Sequence, residues 1–298
     1  MSEATAYVFS APQSPGTETS NSLSVVLSST SLVESNAAAL SDCLAIDDEL
    51  VVFAESADWS SELIQPVMAE FEKSRAKIGL IAGARSADLC FVWESLPSSL
   101  ASLVMAPESR ATVVLKRSQF KANPFRDVAA PLHDLIIRTS LANPDDVAVL
   151  DVETFDAPTC SASALPGKGI ALPAIAPQRP GRSRHWLAEH LKSPEVRRAL
   201  PTGRADCERT ALLAGLWQVN DFLDESHSQS QSIEGEGSDR NGDYWHGIMH
   251  RREPDWWNSK YWFRRVGQHP CFEELGRLAE QALNECDSPV RCSGPNSA

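Results

Sequence analysis

The first 72 of the 298 residues contain no lysine and no arginine, whereas they contain twelve aspartates and glutamates. These twelve carboxylates account for almost all of the formal net charge of −13, so the rest of the chain is close to neutral. A polyanion-binding protein needs concentrated basic charge to neutralise phosphates. The charge distribution therefore argues against nucleic acid as the partner, although it leaves room for a local anion site.

Long apolar runs and targeting signals are also missing. No run approaches the roughly 18 residues that a membrane-spanning helix needs, and the N-terminus lacks the basic start and apolar segment of a secretory signal. The seven cysteines are scattered and show no CxxC or CxxH spacing, which favours reduced thiols over a disulfide framework. These absences predict a soluble, cytoplasmic protein that has no membrane partner.

The sequence predicts an α+β fold, in which an N-terminal α/β layer is followed by a mainly α-helical C-terminal domain. Proline resists helix and donates no backbone hydrogen bond, so the proline-rich segment marks the boundary between them. The predicted divisions are a disordered acidic tail at 1–44, an α/β domain at 45–155, a Pro-rich linker at 156–182, a helical domain at 183–285 and a disordered tail at 286–298.

Short apolar runs predict the strands, and apolar residues at helical spacing predict the helices. Predicted strands cover 50–54, 78–82, 89–93, 112–115 and 147–150, with a further short strand within 23–27. Predicted helices between these strands cover 60–74 and 132–140. The strongest helical pattern runs from Thr210 to Gln231, and a polar stripe on it includes Asp224 and His227.

Residues 244–270 form an unusual block, which reads YWHGIMHRREPDWWNSKYWFRRVGQHP. It holds three of the seven histidines, four of the eight tryptophans and two arginine pairs. Such a concentration of imidazole, guanidinium and aromatic groups indicates a functional site. No complete catalytic signature accompanies it, because the HxxxH spacing lacks the glutamate of HExxH.

One hypothesis for this block is a metal site. His246, His250 and Glu253 are spaced i, i+4, i+7 on a helix that Asp243 can cap and Pro254 ends, so they project from one face. A second helix offers a carboxylate and an imidazole at i, i+3, and two packed helices can join such sets. The predicted ligands of a divalent transition metal are Asp224, His227, His246, His250 and Glu253.

Two other interpretations of the same residues remain open. In the first, guanidiniums bind an anionic small molecule and imidazoles transfer protons, with His246, His250 and Arg251 as the catalytic candidates. The ligand-binding candidates are then Arg252, Lys260, Tyr261, Arg264 and Arg265. In the second, the histidines are structural, and adjacent arginines point to different faces of their helix.

The function therefore has two candidates from different classes. The first is an enzyme whose His/Arg-lined site binds a metal or an anionic small molecule. The second is a non-enzymatic adaptor that uses the aromatic–Arg surface to bind a protein partner, since Trp, Tyr and Arg are typical interface hot spots. A concave site around the histidines favours the enzyme, whereas an exposed band of Trp256, Trp257 and Trp262 favours the adaptor.

The segments DFLDESHSQSQS, WHGIMHRREPD and NSKYWFRRVGQHP resemble a motif set in a family of uncharacterised bacterial and fungal proteins. The likeness covers about residues 211–272. It implies no fold, activity or cofactor. It does imply that these segments form one unit, which includes Asp224, His227, His246, His250 and Arg251.

Overall fold

The protein is described by a computed structural model, which covers residues 4–10, 23–25, 49–55, 61–82, 96–104, 112–116, 119, 125–128, 130–151, 185–201 and 205–285. Within these residues the strands all precede residue 152, and the chain from residue 185 onward is helical. The predicted α+β mixture with a helical C-terminal region agrees with this arrangement.

Six strands form one mixed sheet. The strands are β1 (Ala4–Ser10), β2 (Leu23–Val25), β3 (Glu49–Glu55), β4 (Ile78–Ala82), β5 (Thr112–Lys116) and β6 (Val147–Asp151). Their order is β2-β1-β3-β5-β4-β6. Val52 lies opposite Val114 in an antiparallel pair, and Ile78 lies opposite Val147 in the parallel pair of β4 with β6. Because the other neighbouring strands are antiparallel, the sheet is not the parallel one of a doubly wound fold.

The strands compare closely with those that the sequence predicts. The runs at 50–54, 78–82, 112–115 and 147–150 each lie within a strand. Strands β1 and β2 fall inside the segment predicted to be a disordered tail, and β2 coincides with part of the short run at 23–27. The predicted strand at 89–93, the linker at 156–182 and the tail at 286–298 lie outside the described residues.

Among the described residues, three α-helices accompany the sheet. They are α1 (Ser61–Ser74), α2 (Ser98–Val104) and α3 (Pro131–Ala142). Helix α3 starts with proline at its first position, where no backbone donor is needed. Helix α1 lies close to the sheet at Gly79, where an added Cβ would sit 2.9 Å from Phe71 and 2.6 Å from Leu150. The absence of a side chain at this position therefore permits the close packing.

Seven helices make up the described C-terminal region. They are α4 (His185–Lys192), α5 (Pro194–Ala199), α6 (Asp206–Val219), α7 (Leu223–Ser232), α8 (Asn241–Arg252), α9 (Trp256–Val266) and α10 (Phe272–Glu285). None of the helices in the described part of the chain is long and apolar enough to cross a membrane. A single cluster of buried apolar side chains joins Leu103 and Ile137, which precede the predicted linker, to Leu187, Leu213 and Trp217, which follow it. The sheet-bearing and helical parts therefore share a core.

The long helix predicted at 210–231 is wrong, because it is broken into α6 and α7. Asp221 has a φ of 71°, a conformation that ends a helix rather than continuing it. Arg252 holds the turn in place by donating from Nη1 to the Gln218 carbonyl at 2.7 Å and from Nη2 to the Asp221 carboxylate. A contact from a distant helix thus overrides the local helical pattern.

Helix α8 begins earlier than the sequence predicts. Its N-cap is Arg240, with a φ of 55°, rather than Asp243. Asp243 lies inside the first turn and is buried, and its Oδ1 accepts a hydrogen bond from the Gly235 backbone at 3.0 Å. The carboxylate therefore fixes the preceding loop instead of capping the helix. The predicted end of the helix just before Pro254 is confirmed, since α8 ends at Arg252.

Candidate metal centre

Three histidines from two helices converge on one point. His246 and His250 lie one turn apart on α8, and His227 faces them from α7. The His227 ring lies 4.6 Å from the His246 ring and 5.4 Å from the His250 ring, measured between centroids. One ring nitrogen from each histidine can be chosen such that all three lie within 4.8 Å of one another. These residues form the histidine cluster.

His246 is the most deeply buried member of the histidine cluster, with 2% of its surface exposed. Its ring stacks on Trp262 at 3.8 Å between centroids. Burial lowers the pKa of His246, and the positive charge of the neighbouring His227, His250 and Arg265 acts in the same direction, so that the pKa falls to about 3. The imidazole is therefore neutral at physiological pH, and its buried Nδ1 has no hydrogen-bond partner among the described residues.

His250 is mostly buried, with 12% of its side chain exposed. Burial lowers the pKa of His250, whereas the nearby Glu253 carboxylate acts in the opposite direction. Glu253 Oε2 lies 3.4 Å from His250 Nδ1. The two atoms are within ion-pair range but are not aligned for a hydrogen bond, and within the described part of the chain this Nδ1 also has no hydrogen-bond partner.

The histidine cluster has nearly the dimensions of a metal site. Three nitrogens at the corners of a triangle with 4.8 Å sides lie about 2.8 Å from its centre, compared with about 2.0–2.1 Å for a Zn–N bond. Each nitrogen would have to move inward by less than about 1 Å, which small ring rotations can provide. Neutral imidazoles are the donors that zinc, copper, iron and nickel accept.

Asp224 and Glu253, the two carboxylates predicted as metal ligands, are not part of the histidine cluster. Asp224 is exposed and lines a separate cleft of about 390 Å³ that also includes Lys192 and Arg197. Glu253 follows the last residue of α8, its side chain is 42% exposed, and its Oε2 lies 3.4 Å from His250 Nδ1. The carboxylates therefore lie beside the site or away from it, and the donors it brings together are all nitrogens.

The first arginine pair points to opposite faces of α8, as one interpretation of the sequence predicts. Arg252 is buried and is engaged by the turn between α6 and α7. Arg251 is exposed, and its guanidinium carbon lies 6.0 Å from the centroid of the Trp256 ring. These contacts do not point either guanidinium toward the histidines, as binding of a common anion would require.

The cations and the phenol predicted on α9 lie mainly at the surface. Lys260, Tyr261 and Arg264 are exposed, and the Lys260 amine lies 5.5 Å from the centroid of Trp257. Arg265 lies close to the histidine cluster. Its guanidinium carbon is 5.1 Å from the centroid of Trp262, the ring that stacks on His246. Its Nη1 donates to the Tyr261 hydroxyl at 2.9 Å, and its Nη2 lies 2.9 Å from a Glu234 oxygen.

A buried polar network elsewhere was missed by the sequence analysis. Asp134 on α3 has no exposed side-chain surface, and it contacts Arg126, Arg138 and His190. Burial raises the pKa of Asp134, but the hydrogen bonds from His190, Arg126 and Arg138 outweigh it and hold the pKa well below its usual range. No motif links these residues, because His190 lies 56 positions from Asp134 and belongs to α4. The network ties together helices on the two sides of the predicted linker.

Comparisons of the chain with models of protein families, with curated proteins and with solved structures gave no match. The resemblance of residues 211–272 to a motif set therefore stays a prediction. The function is therefore inferred from the residues of the histidine cluster and their geometry.

Proposed function

We propose that the protein is an enzyme that binds a divalent transition metal at His227, His246 and His250. The observation that supports this proposal most directly is the convergence of three ring nitrogens, from two helices, within 4.8 Å of one another in a mostly buried place. Helical bundles commonly build metal sites in this way, from inward-facing side chains on packed helices.

A metal accounts for the histidine cluster better than a purely structural role does. Buried polar atoms normally have hydrogen-bond partners, and an unpaired one costs about 1–3 kcal/mol. Among the described residues, the Nδ1 atoms of His246 and His250 both lack such a partner. Placing three imidazoles together has little structural benefit unless an electrophile binds between them.

The metal interpretation is also preferred to an anion-binding one. The Arg252 guanidinium is buried against Gln218 and Asp221, and that of Arg265 contacts Tyr261 and Glu234. Arginines that bind a substrate anion must present their donors to the same space as the proton-transferring imidazoles. These two arginines use donors to hold the fold together.

Three protein ligands leave at least one position on a bound ion open for water or substrate, which is typical of catalytic rather than structural zinc. Bound zinc would supply an acidified water for hydrolysis. The chain contributes the apolar ring of Trp262, which stacks on His246 and excludes water from that side of the imidazole. Glu253 Oε2, 3.4 Å from His250 Nδ1, adds a negative charge beside the site, which favours a bound cation. We propose the cytoplasm as the compartment of the protein, because Cys207 and Cys271 are free thiols, which are typical of a reducing environment.

The test is metal binding by the purified full chain. Elemental analysis should find close to one equivalent of a transition metal, and the chelator-treated protein should bind Zn²⁺ in a calorimetric titration. His227→Ala and His250→Ala should each weaken this binding by more than about 100-fold, because loss of an orienting neighbour alone typically costs about 10–100-fold. The matched control is His185→Ala, since His185 is exposed on α4. Unchanged Zn²⁺ affinity in His250→Ala would refute the proposal.

An adaptor function is the second candidate, and the surface of α9 favours it. Trp257 is 82% exposed and Trp256 is 50% exposed, with Tyr261 beside them at 47%. Exposed aromatic residues near cations are typical of interface hot spots. Trp262 does not join this surface, because it is buried against His246. A Trp256→Ser/Trp257→Ser variant should lose a protein partner that binds the wild-type chain, whereas His250→Ala should retain it.

A further inference from the structure

At the turn between α9 and α10, a thiol and an imidazole lie beside an amide from the start of α8. Cys271 Sγ lies 3.0 Å from His269 Nδ1. The other ring nitrogen, His269 Nε2, lies 2.9 Å from Asn241 Oδ1, at the start of α8. Cysteine hydrolases with a Cys–His–Asn triad use these residue types as nucleophile, base and orienting group. The arrangement lies apart from the histidine cluster.

The hydrogen bonds determine which nitrogen of His269 carries the proton. Asn241 Nδ2 donates to Glu208 Oε2 at 2.7 Å, and a carboxylate can only accept, so the Asn241 amide oxygen must face His269. His269 Nε2 is therefore the donor in its bond with Asn241, which leaves Nδ1 unprotonated. The Cys271 backbone N–H also donates to this Nδ1, at 3.3 Å. His269 is thus ready to accept the proton of the Cys271 thiol.

The position of Cys271 in the fold suits a reactive thiol. Its carbonyl accepts the hydrogen bond of Leu275 at 2.9 Å, so it immediately precedes the 14-residue helix α10. A helix N-terminus stabilises a thiolate, as does a neighbouring histidine that takes up the proton. Cys271 is a free thiol and is partly exposed. The Tyr244 ring stacks on His269 at 4.5 Å between centroids and keeps the imidazole in its orientation.

We propose that Cys271, His269 and Asn241 form a second catalytic site, in which the Cys271 thiol accepts an acyl group from an uncharged ester. As Sγ bonds to the acyl carbon, the thiol proton passes to His269 Nδ1. The bond from the acyl carbon to the alcohol oxygen then breaks, and that oxygen takes the proton from His269. Asn241 acts as a positioning residue through His269.

The second half of the reaction regenerates the thiol. Water gives a proton to His269 Nδ1 as its oxygen bonds to the acyl carbon, the carbon–sulfur bond breaks, and the sulfur regains the proton. The balance is ester plus water giving acid plus alcohol, and no oxidant or reductant is required. Glu208 lies behind Asn241, and Glu273 follows in the first turn of α10. These carboxylates disfavour a substrate whose acyl group is negatively charged.

The first test measures the reactivity of individual cysteines in the full chain, with chelator present. Iodoacetamide is the probe, and peptide mass spectrometry reports alkylation of Cys271 and of Cys207, a free and similarly buried cysteine that serves as an internal control. Cys271 should react at least about 10-fold faster than Cys207, because His269 Nδ1 lies 3.0 Å from its sulfur and can take up the thiol proton. Equal alkylation rates at the two cysteines would overturn the proposal.

The second test uses p-nitrophenyl acetate. The wild-type chain should release a burst of close to one equivalent of p-nitrophenolate and carry an acetyl group on Cys271. Cys271→Ser and His269→Ala should abolish the burst, whereas Cys207→Ser should keep it. Asn241→Ala should lower the maximum rate of the burst without changing the p-nitrophenyl acetate concentration that gives half of that rate, which loss of packing at a binding surface would not do. A full burst in Cys271→Ser, with the variant folded by circular dichroism, would refute the assignment.

Discussion

The Asp134→Asn substitution is the sharpest test of how the two parts of the chain depend on each other. Asp134 is fully buried on α3, and its Oδ1 lies 2.7 Å from His190 Nε2 on α4. Arg138 Nε donates to its other oxygen at 2.7 Å, and Arg126 contacts the same carboxylate. Asparagine keeps the shape of the side chain but removes its charge. It also replaces one acceptor oxygen with a donor that faces these cations.

The magnitude follows from the exposure of the partners. Removing one member of a buried ion pair costs about 3–5 kcal/mol. Arg126 and Arg138 are partly exposed and can turn toward water, whereas His190 is buried. We therefore expect a loss near the lower limit, about 3 kcal/mol. In a protein of this size each kcal/mol lowers the melting temperature by about 2–4 °C, so the melting temperature should fall by about 6–12 °C.

The assay is urea unfolding at several pH values, followed by circular dichroism. The lowered pKa of Asp134 contributes stability that is complete above the ordinary carboxyl pKa near 3.9. This stability is lost as the pH falls toward the lower pKa of the folded state. The difference between wild type and Asp134→Asn should therefore be full at pH 7 and shrink below about pH 4. The control, Asp145→Asn at an exposed position, should change stability by less than about 0.5 kcal/mol. A loss at pH 7 no larger than that of the control would show that the network does not stabilise the fold.

Two further predictions concern single side chains around the candidate metal centre. Arg252→Met should cost about 3–5 kcal/mol in urea unfolding, since it leaves Asp221 and the end of α6 without their cation; a loss below 1 kcal/mol would contradict this role. The free energy of unfolding of the chelator-treated protein should fall by about 2 kcal/mol between pH 7 and pH 5 because of His246. The pKa of this imidazole is about 3 in the folded state and 6.5 in the unfolded state, so over this pH range protons bind to the unfolded state and stabilise it. In His246→Phe, which keeps an aromatic ring beside Trp262, urea unfolding should show that this contribution has gone. The same loss in the variant would exclude His246 as its source.

Much of the candidate metal centre could be predicted from local spacing. Two histidines four positions apart on a helix share a face by helical geometry alone, and Pro254 ends that helix for a local steric reason. Adjacent residues on a helix lie about 100° apart, so the different directions of Arg251 and Arg252 also follow from the sequence. These features depend on neighbours along the chain, which a pattern can report.

The tertiary structure decided which residues from distant segments meet. Asp224 and His227 share a helix, yet only His227 joins the histidine cluster. The break at Asp221, which separates their helix α7 from α6, depends on Arg252, 31 positions away. The spacing of polar residues along a helix shows that the helix has a polar side, but it does not show which neighbouring element packs against that side.

The same limit applies to the polar groups that have no motif. Asp134 meets His190 across 56 positions, and Asn241 meets His269 across 28. A single sequence fixes the backbone preference of each segment through local sterics and hydrogen bonds. The distance between side chains far apart in the chain depends on how the helices pack, and packing is a property of the whole core. The sequence by itself determined the strands at 50–54, 78–82, 112–115 and 147–150 and the face that His246 and His250 share. Only the folded chain decided where α6 and α7 divide and which distant side chains meet, because both depend on contacts between segments far apart in the chain.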